Sequence, residues 1–187
     1  MDIIEKLISH FQFSDVDIEL TQQMFGHETI EAKSFFVEEG KIATKLGIVE
    51  SGLFRTFYFN NDNEEITTAF QEPGSLLLSI DSFNNQTRSN ESIVAVENSQ
   101  LYTISLEKWQ KLNEQVPKWR DVCRISGDYI SMMLQARARE FQTLTAKERY
   151  SKFCDKHPAV LQKATLGQIA SFLGIDIATL SRIRNKI

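Results

Sequence analysis

The sequence predicts an α+β chain: an N-terminal antiparallel β-roll (jelly roll) with flanking helices, a long dimerisation helix and a small C-terminal helix-turn-helix domain. Three observations carry that reading. Residues 28–105 hold short runs rich in Phe, Val, Ile, Tyr and Thr, separated by turn chemistry. From 118 to 144, apolar residues recur at steps of three and four. The last stretch, LGQIASFLGIDIATLSRIRNKI, places two short amphipathic segments on either side of a Gly. The expected divisions are 1–117, 118–144 and 145–187.

Taken in order, residues 2–11 and 15–25 read as short helices, with Asp15 or Ser14 available to cap the second. The β-rich runs follow: KSFFVEEGK, LGIVESGLFRTFYF, EEITTAFQEPGS and ESIVAVENSQLYTIS. Glu39-Gly40, Ser51-Gly52, Asn60 to Asn63 and Pro73-Gly74 supply the turns between them. In LFRTFYF, Leu53, Arg55, Phe57 and Phe59 face one way and Phe54, Thr56 and Tyr58 the other, so aromatics occupy both faces, as on an inner strand of a two-layer sandwich. The polar stretch 81–92 reads as a loop, and the acids from Asp62 to Glu65 as a solvated hairpin turn.

Leu106, Trp109 and Leu112 mark a short helix, and Pro117 sits where the next one starts. That long helix can pack back on the sandwich or pair with its twin. The heptad-like steps of Val122, Tyr129 and Ala136, and of Ile125 and Met132, favour pairing. The expected dimer face is Val122, Ile125, Tyr129, Met132, Met133 and Ala136.

Composition bounds the rest. A hydrophobic fraction of 42% and a charged fraction of 25% are ordinary for a globular chain. No apolar stretch reaches membrane-spanning length, and the N-terminus carries charges within its apolar pattern, unlike a signal peptide. Two cysteines, Cys123 and Cys154, are too few for a disulfide scaffold. A cytoplasmic chain with no membrane contact is expected. The net charge of −4 hides an asymmetry: residues 145–187 hold eight bases and three acids, a balance of +5, which leaves −9 on the remainder. A basic tail on an acidic body suits a polyanion partner.

In the tail, Thr165 can cap a helix whose Leu166, Ile169, Ala170 and Leu173 share a face. Gly174 ends it and Asp176 caps the next. There Leu180, Ile183 and Ile187 form the inner stripe, and at 100° per residue Ala178, Ser181, Arg182 and Asn185 point away from it, with Thr179 and Lys186 on the flank. This small, hydroxylic and basic face suits a DNA groove. Arg184, closer to the stripe, fits a phosphate or the helix C-terminus.

With these motifs the chain resembles the Crp/Fnr family of bacterial transcription regulators over nearly its whole length. FFVEEGK and LGIVESGLFRTFYFNNDNEEITTAFQEPGS resemble that family's sensor roll, with Gly40, Gly52 and Gly74 at turn positions, and TLGQIASFLGIDIATLSRIRNKI resembles its DNA-reading unit. The resemblance implies base contacts at Ile177, Ala178 and Arg182 and a phosphate contact at Thr179. The whole expected DNA-binding set is Thr165, Ile177, Ala178, Thr179, Ser181, Arg182, Asn185 and Lys186. Ile177 and Ala178 are apolar where the family reads bases, so thymine methyls are their expected targets. The sequence stops at Ile187, so the winged strand the family often adds is expected to be absent.

The sensor side departs further. Members that bind cyclic nucleotides place a Glu after the Pro-Gly turn, for the ribose, and an Arg-Ser or Arg-Thr pair, for the cyclic phosphate. Here SLLLSIDSF follows Gly74 without that Glu, and Arg88-Ser89 stands about one residue out of register. The expected effector pocket is Gly74, Ser75, Leu76, Leu78, Arg88 and Ser89, with no affinity for cyclic AMP.

No enzyme signature stands out. His10, His27 and His157 have no metal-ligand spacing, the cysteine cluster of iron–sulfur sensors is missing, and no P-loop or G-x-S-x-G occurs. No metal or cofactor is expected. The expected partners are double-stranded DNA, a second copy of the chain and a small-molecule effector of unknown identity. The competing reading is a small-molecule-binding or enzymatic β-roll whose C-terminal helices are structural only.

Overall fold

A computed structural model of the protein describes residues 11–185. The helix expected over 2–11 falls almost wholly outside them, as do His10, Lys186 and Ile187. The first helix, α1 (Asp15–Met24), starts at Ser14: its hydroxyl accepts from the Asp17 N–H, and the Asp17 carboxylate accepts from the Ser14 N–H. This reciprocal pair satisfies two backbone donors that the first turn leaves open.

Eight strands follow: β1 (Gly26–Ile30), β2 (Phe35–Val37), β3 (Lys45–Ser51), β4 (Phe54–Phe59), β5 (Glu65–Gln71), β6 (Leu76–Leu77), β7 (Ser92–Ala95) and β8 (Ser99–Ser105). They form two four-stranded antiparallel sheets, ordered β1-β8-β3-β6 and β2-β7-β4-β5. Strand β4 is the inner strand that its two-faced sequence predicts. Phe54 enters the core between the sheets with Phe36, Ile48, Leu77, Ile93 and Leu101, while its neighbour Leu53 joins a second core formed with the C-terminal helices. Gly52, at φ +102°, makes the β3–β4 turn possible: a Cβ there would meet the Ser99 backbone at 2.8 Å.

The polar stretch 81–92 is not simply a loop. It contains most of α2 (Ile80–Asn85), which the sequence hides because only Ser82 and Phe83 turn inward. The Ser82 hydroxyl accepts from the Ala43 N–H at 2.8 Å and donates to the Thr87 carbonyl at 2.6 Å, so one aromatic anchor suffices to seat the helix. The acidic turn also needs correction at its end: Glu65 lies in β5 and pairs with Arg55, whose side chain is buried. Arg55 lies over the Phe57 ring at 4.1 Å and donates to Thr67 at 3.1 Å.

After α3 (Leu106–Gln115) comes α4 (Trp119–Thr143), 25 residues and about 37 Å long. Its first turn is tied to the roll: the Trp119 indole N–H donates to Thr21 Oγ1 at 3.0 Å, and Phe13, Phe25 and Trp109 surround the ring. Val122 is buried in the same core. It therefore does not belong to the free face where the heptad count put it, because the sandwich claims the first turn before the helix leaves it. The chain closes with α5 (Ala146–Lys156), α6 (Pro158–Lys163), α7 (Leu166–Leu173) and α8 (Ile177–Arg184).

Candidate nucleic-acid interface

The pair α7–α8 is built by three local devices. Thr165 caps α7 with Gln168 in a reciprocal box. Gly174 ends α7 in the left-handed conformation, at φ +63°. Asp176 caps α8, accepting the Thr179 N–H at 2.7 Å, and that bond holds its carboxyl below the usual carboxylate range. Ile169, Ala170, Leu173 and Leu180 are buried between the helices, with Tyr150, Phe153 and Val160 of α5 and α6 beneath them. The small Ala170 lies in this core, as the sequence expects of a helix crossing.

The outer side of α8 is open. Ile177, Ala178, Arg182, Arg184 and Asn185 are exposed, and Thr179, Ser181 and Ile183 are half-buried. Ile177 keeps 55% of its surface in water, a high value for so apolar a residue at a helix start. Two of the polar side chains are held locally. Arg182 donates to the Ala178 carbonyl at 3.3 Å and to Thr179 Oγ1 at 3.0 Å, and the Thr179 hydroxyl donates to Asp176 at 2.8 Å. These exposed contacts are weak enough to exchange for phosphate or base partners. Lys147, Lys156 and Arg184 make no ion pair among the described residues.

Sequence reasoning missed how firmly this unit is docked on the roll. Ser171 of α7 accepts the Thr67 N–H at 2.9 Å and donates to the Glu65 carbonyl at 3.1 Å. His157 meets Glu72 at 2.8 Å and Lys163 meets Glu97 at 2.5 Å. Phe70 of β5 packs against Phe153 and Phe172. Each partner lies far from its mate in sequence, so no local pattern could have signalled the pairing.

The expected dimer residues past the first turn stand free on α4. Tyr129 is 63% and Met132 66% exposed, and Ile125, Met133 and Ala136 are exposed beside them. A second apolar line, Ile130, Leu134 and Phe141, runs down another side of the helix, and Leu134 and Phe141 face a cleft against β5 whose rim Met133 and Ala136 of the expected dimer face also reach. Two apolar sides on one helix give a continuous pattern in sequence, so the periodicity alone did not separate them.

At the expected effector pocket, Gly74 turns at φ +91° and donates its N–H to the Val49 carbonyl at 2.8 Å, and Ser75 accepts from the Val49 N–H. Leu76 and Leu78 pack on the roll core. Arg88 is exposed, in a bridge with Ile42, whereas Ser89 is buried, with its hydroxyl 3.0 Å from that of Ser79 and donating to the Glu91 carbonyl at 2.7 Å. Arg88 and Ser89 thus do not converge on one point. Burial pushes the Glu91 carboxyl up, a hydrogen bond with Ser79 offsetting part of this.

His27 lies beside Glu50, and no group of three or more metal-ligating side chains occurs among the described residues. Cys123 and Cys154 are free thiols. No helix among the described residues is long and apolar enough to cross a membrane.

Residues 27–115, from β1 to the end of α3, match the cyclic nucleotide-binding domain family. No curated protein matches the chain in sequence. Solved structures similar to it include the Catabolite Activator Protein of Thermus thermophilus, at 20% identity and a TM-score of 0.59, covering 96% of this chain and 85% of that one. The c-di-GMP responsive global regulator CLP of Xanthomonas campestris has 18% identity and a TM-score of 0.69 over 92% of this chain and 91% of its own. FixK2 of Bradyrhizobium japonicum has 17% identity and a TM-score of 0.70 over 87% and 83%. The fold is that of these proteins.

Proposed function

We propose that this chain is a DNA-binding transcription regulator of the Crp/Fnr type. It acts as a two-fold dimer through α4, and its roll does not bind cyclic AMP. The observation that carries the reading is α8 itself: a helix capped by Asp176, seated on Leu180, with an open face of Ile177, Ala178, Arg182 and Asn185. Such a helix fits a major groove, with Arg182 able to fork onto guanine and Ile177 and Ala178 set against thymine methyls. The basic balance of residues 145–187 supplies phosphate attraction. A single unit of this size makes few base contacts, and doubling it on a near-palindromic site supplies the missing specificity. The solved structures similar in fold include two whose names describe a regulator or activator, which supports the reading over an enzymatic roll.

Fluorescence anisotropy with duplex DNA tests it. Selection from random duplexes should yield a near-palindrome with half-sites about one helical turn apart, and affinity should fall steeply with salt. Binding of no duplex at low salt would return the helical tail to a purely structural role.

A further inference from the structure

A cleft of about 240 Å³ opens where four elements meet: β5, the last turns of α4, α5 and the end of α7. Its walls are largely apolar, from Ala69, Phe70, Leu134, Phe141, Phe153 and Phe172. Its polar groups are nearly all of one sign. Arg137, Arg149, Lys152 and Lys156 line it, with Glu140 as the carboxylate. Glu140 is taken by Lys152 at 3.2 Å, and His157 at the edge is taken by Glu72. Arg137, Arg149 and Lys156 form no ion pair among the described residues, and the one carboxylate, Glu140, acts on Arg137 only from a distance.

The two guanidiniums are held by neutral groups. Arg137 donates to the carbonyls of Thr68 and Phe172, and Arg149 to those of Leu173, at 3.1 Å, and Leu144, at 2.8 Å. Both lie over the Phe141 ring, at 5.4 and 5.1 Å. Each guanidinium carries five N–H groups and spends two of them here. Carbonyls and ring faces fix the position of a cation but do not neutralise it. Four cations share the single Glu140 carboxylate, so positive charge here is left short of counter-ions, and an incoming anion relieves that cost.

We propose that this cleft is a binding site for a small amphipathic anion, a carboxylate on an aromatic or short acyl body, with the carboxylate at Arg137, Arg149 and Lys156 and the body against Phe70, Leu134 and Phe172. The volume lies below the usual range of ligand cavities, about 300–1,000 Å³, which suits a compact acid. The site is separate from Gly74, Arg88 and Ser89 in the roll. Because its walls come from the roll, the long helix and the helix-turn-helix unit, an occupant fastens the last to the first two. That coupling to DNA rests on the function proposed above; the binding itself does not.

Isothermal titration of the full chain with 4-phenylbutyrate and octanoate, against 4-phenylbutanol and 4-phenylbutylamine, tests it. Both anions should bind saturably, the alcohol at least about tenfold more weakly, and the amine not at all. Ala69→Phe, which fills the cleft, should abolish binding, and Lys156→Glu, on the exposed rim, should weaken both anions without changing the circular dichroism spectrum. Equal affinity for acid and alcohol, unchanged binding in a folded Ala69→Phe protein, or no heat with either anion up to about 1 mM overturns the site. DNA anisotropy with and without 4-phenylbutyrate separates the two readings. Binding of the acid by a protein that ignores DNA leaves the site standing and removes the regulator, and DNA binding without acid binding does the reverse.

Discussion

Arg137 stacks on Phe172, 4.1 Å from guanidinium to ring centroid, and donates to the carbonyl of that same residue at 2.9 Å. Its other amino group reaches the Thr68 carbonyl of β5. One side chain of the long helix thus ties α7 to the roll. Arg137→Ala leaves two carbonyls without a charged donor and is expected to cost about 2–4 kcal/mol in denaturant unfolding. Arg137→Lys should recover little of it, since an ammonium cannot fork to two carbonyls while stacking on a ring. Equal stability of wild type and the Ala variant would show that the contact is passive.

Gly174 sits behind Phe141 in the same region. A Cβ on it would come 2.8 Å from the Phe141 ring, at a φ of +63° that other residues adopt at a cost. Gly174→Ala should destabilise by about 1–2 kcal/mol from backbone strain, plus the ring contact. Adding Phe141→Ala should remove the second part only, so the two changes together cost less than their sum. Strict additivity in a thermal-unfolding cycle would place the whole effect in the backbone.

On DNA, Arg182→Ala is expected to cost about 1–3 kcal/mol on the selected site and to relax the preference at one base pair. Lys186→Ala should weaken all sequences alike and lower the salt slope by about one. Competition against random duplex distinguishes them. If both variants lose specific and random DNA equally, Arg182 holds a phosphate and not a base.

The open face of α4 predicts a dimer. Replacing Tyr129 and Met132 by Glu should yield a folded monomer with weakened operator binding, because both side chains are more than half exposed in the single chain and contribute little to its core. Sedimentation velocity reads the change directly. A wild-type protein that sediments as a monomer, alone and on DNA, would remove the dimer.

Glu91 ties stability to pH. Its carboxyl is pushed above the ordinary value by burial, so the folded state holds the proton more tightly than the unfolded one. For an acid shifted this way, the charged form costs stability: the protein loses stability as pH rises from the unfolded value through the folded one. Glu91→Gln should therefore raise the midpoint of thermal unfolding at pH 7 and have little effect below pH 4. Separately, Arg88 turned to solvent and parted from the buried Ser89 predicts no heat on titrating cyclic AMP or cyclic GMP into tens of micromolar protein. Saturable binding that disappears in Arg88→Ala would restore Arg88 as a phosphate ligand.

The sequence by itself determined what neighbouring residues decide among themselves. Ser14, Thr165 and Asp176 announced their helices because a cap bonds to a backbone N–H only two or three residues away. Gly52 and Gly174 announced turns because no other residue takes their backbone angles freely. The alternation around Phe54 and Leu53 revealed an inner strand, and the helical period of the C-terminal stretch set which side of α8 Leu180 occupies and which side Ala178 and Arg182 occupy. Only the tertiary structure decided which partner each exposed-looking group would meet. Val122 carries a heptad signal and is spent on the roll, because Trp119 and Thr21 hold that turn against the sheets. Glu65 reads as part of a solvated turn and is instead a counter-ion to Arg55, and Arg137, which no local pattern marks, is a clasp, each to a residue brought close only by folding. Arg88 and Ser89 are adjacent in sequence yet part company, since successive residues of an extended chain face opposite ways. Local chemistry is written along the chain, whereas the meeting of β5, α4 and α7 depends on how separate hydrophobic surfaces find one another, and that is settled by packing.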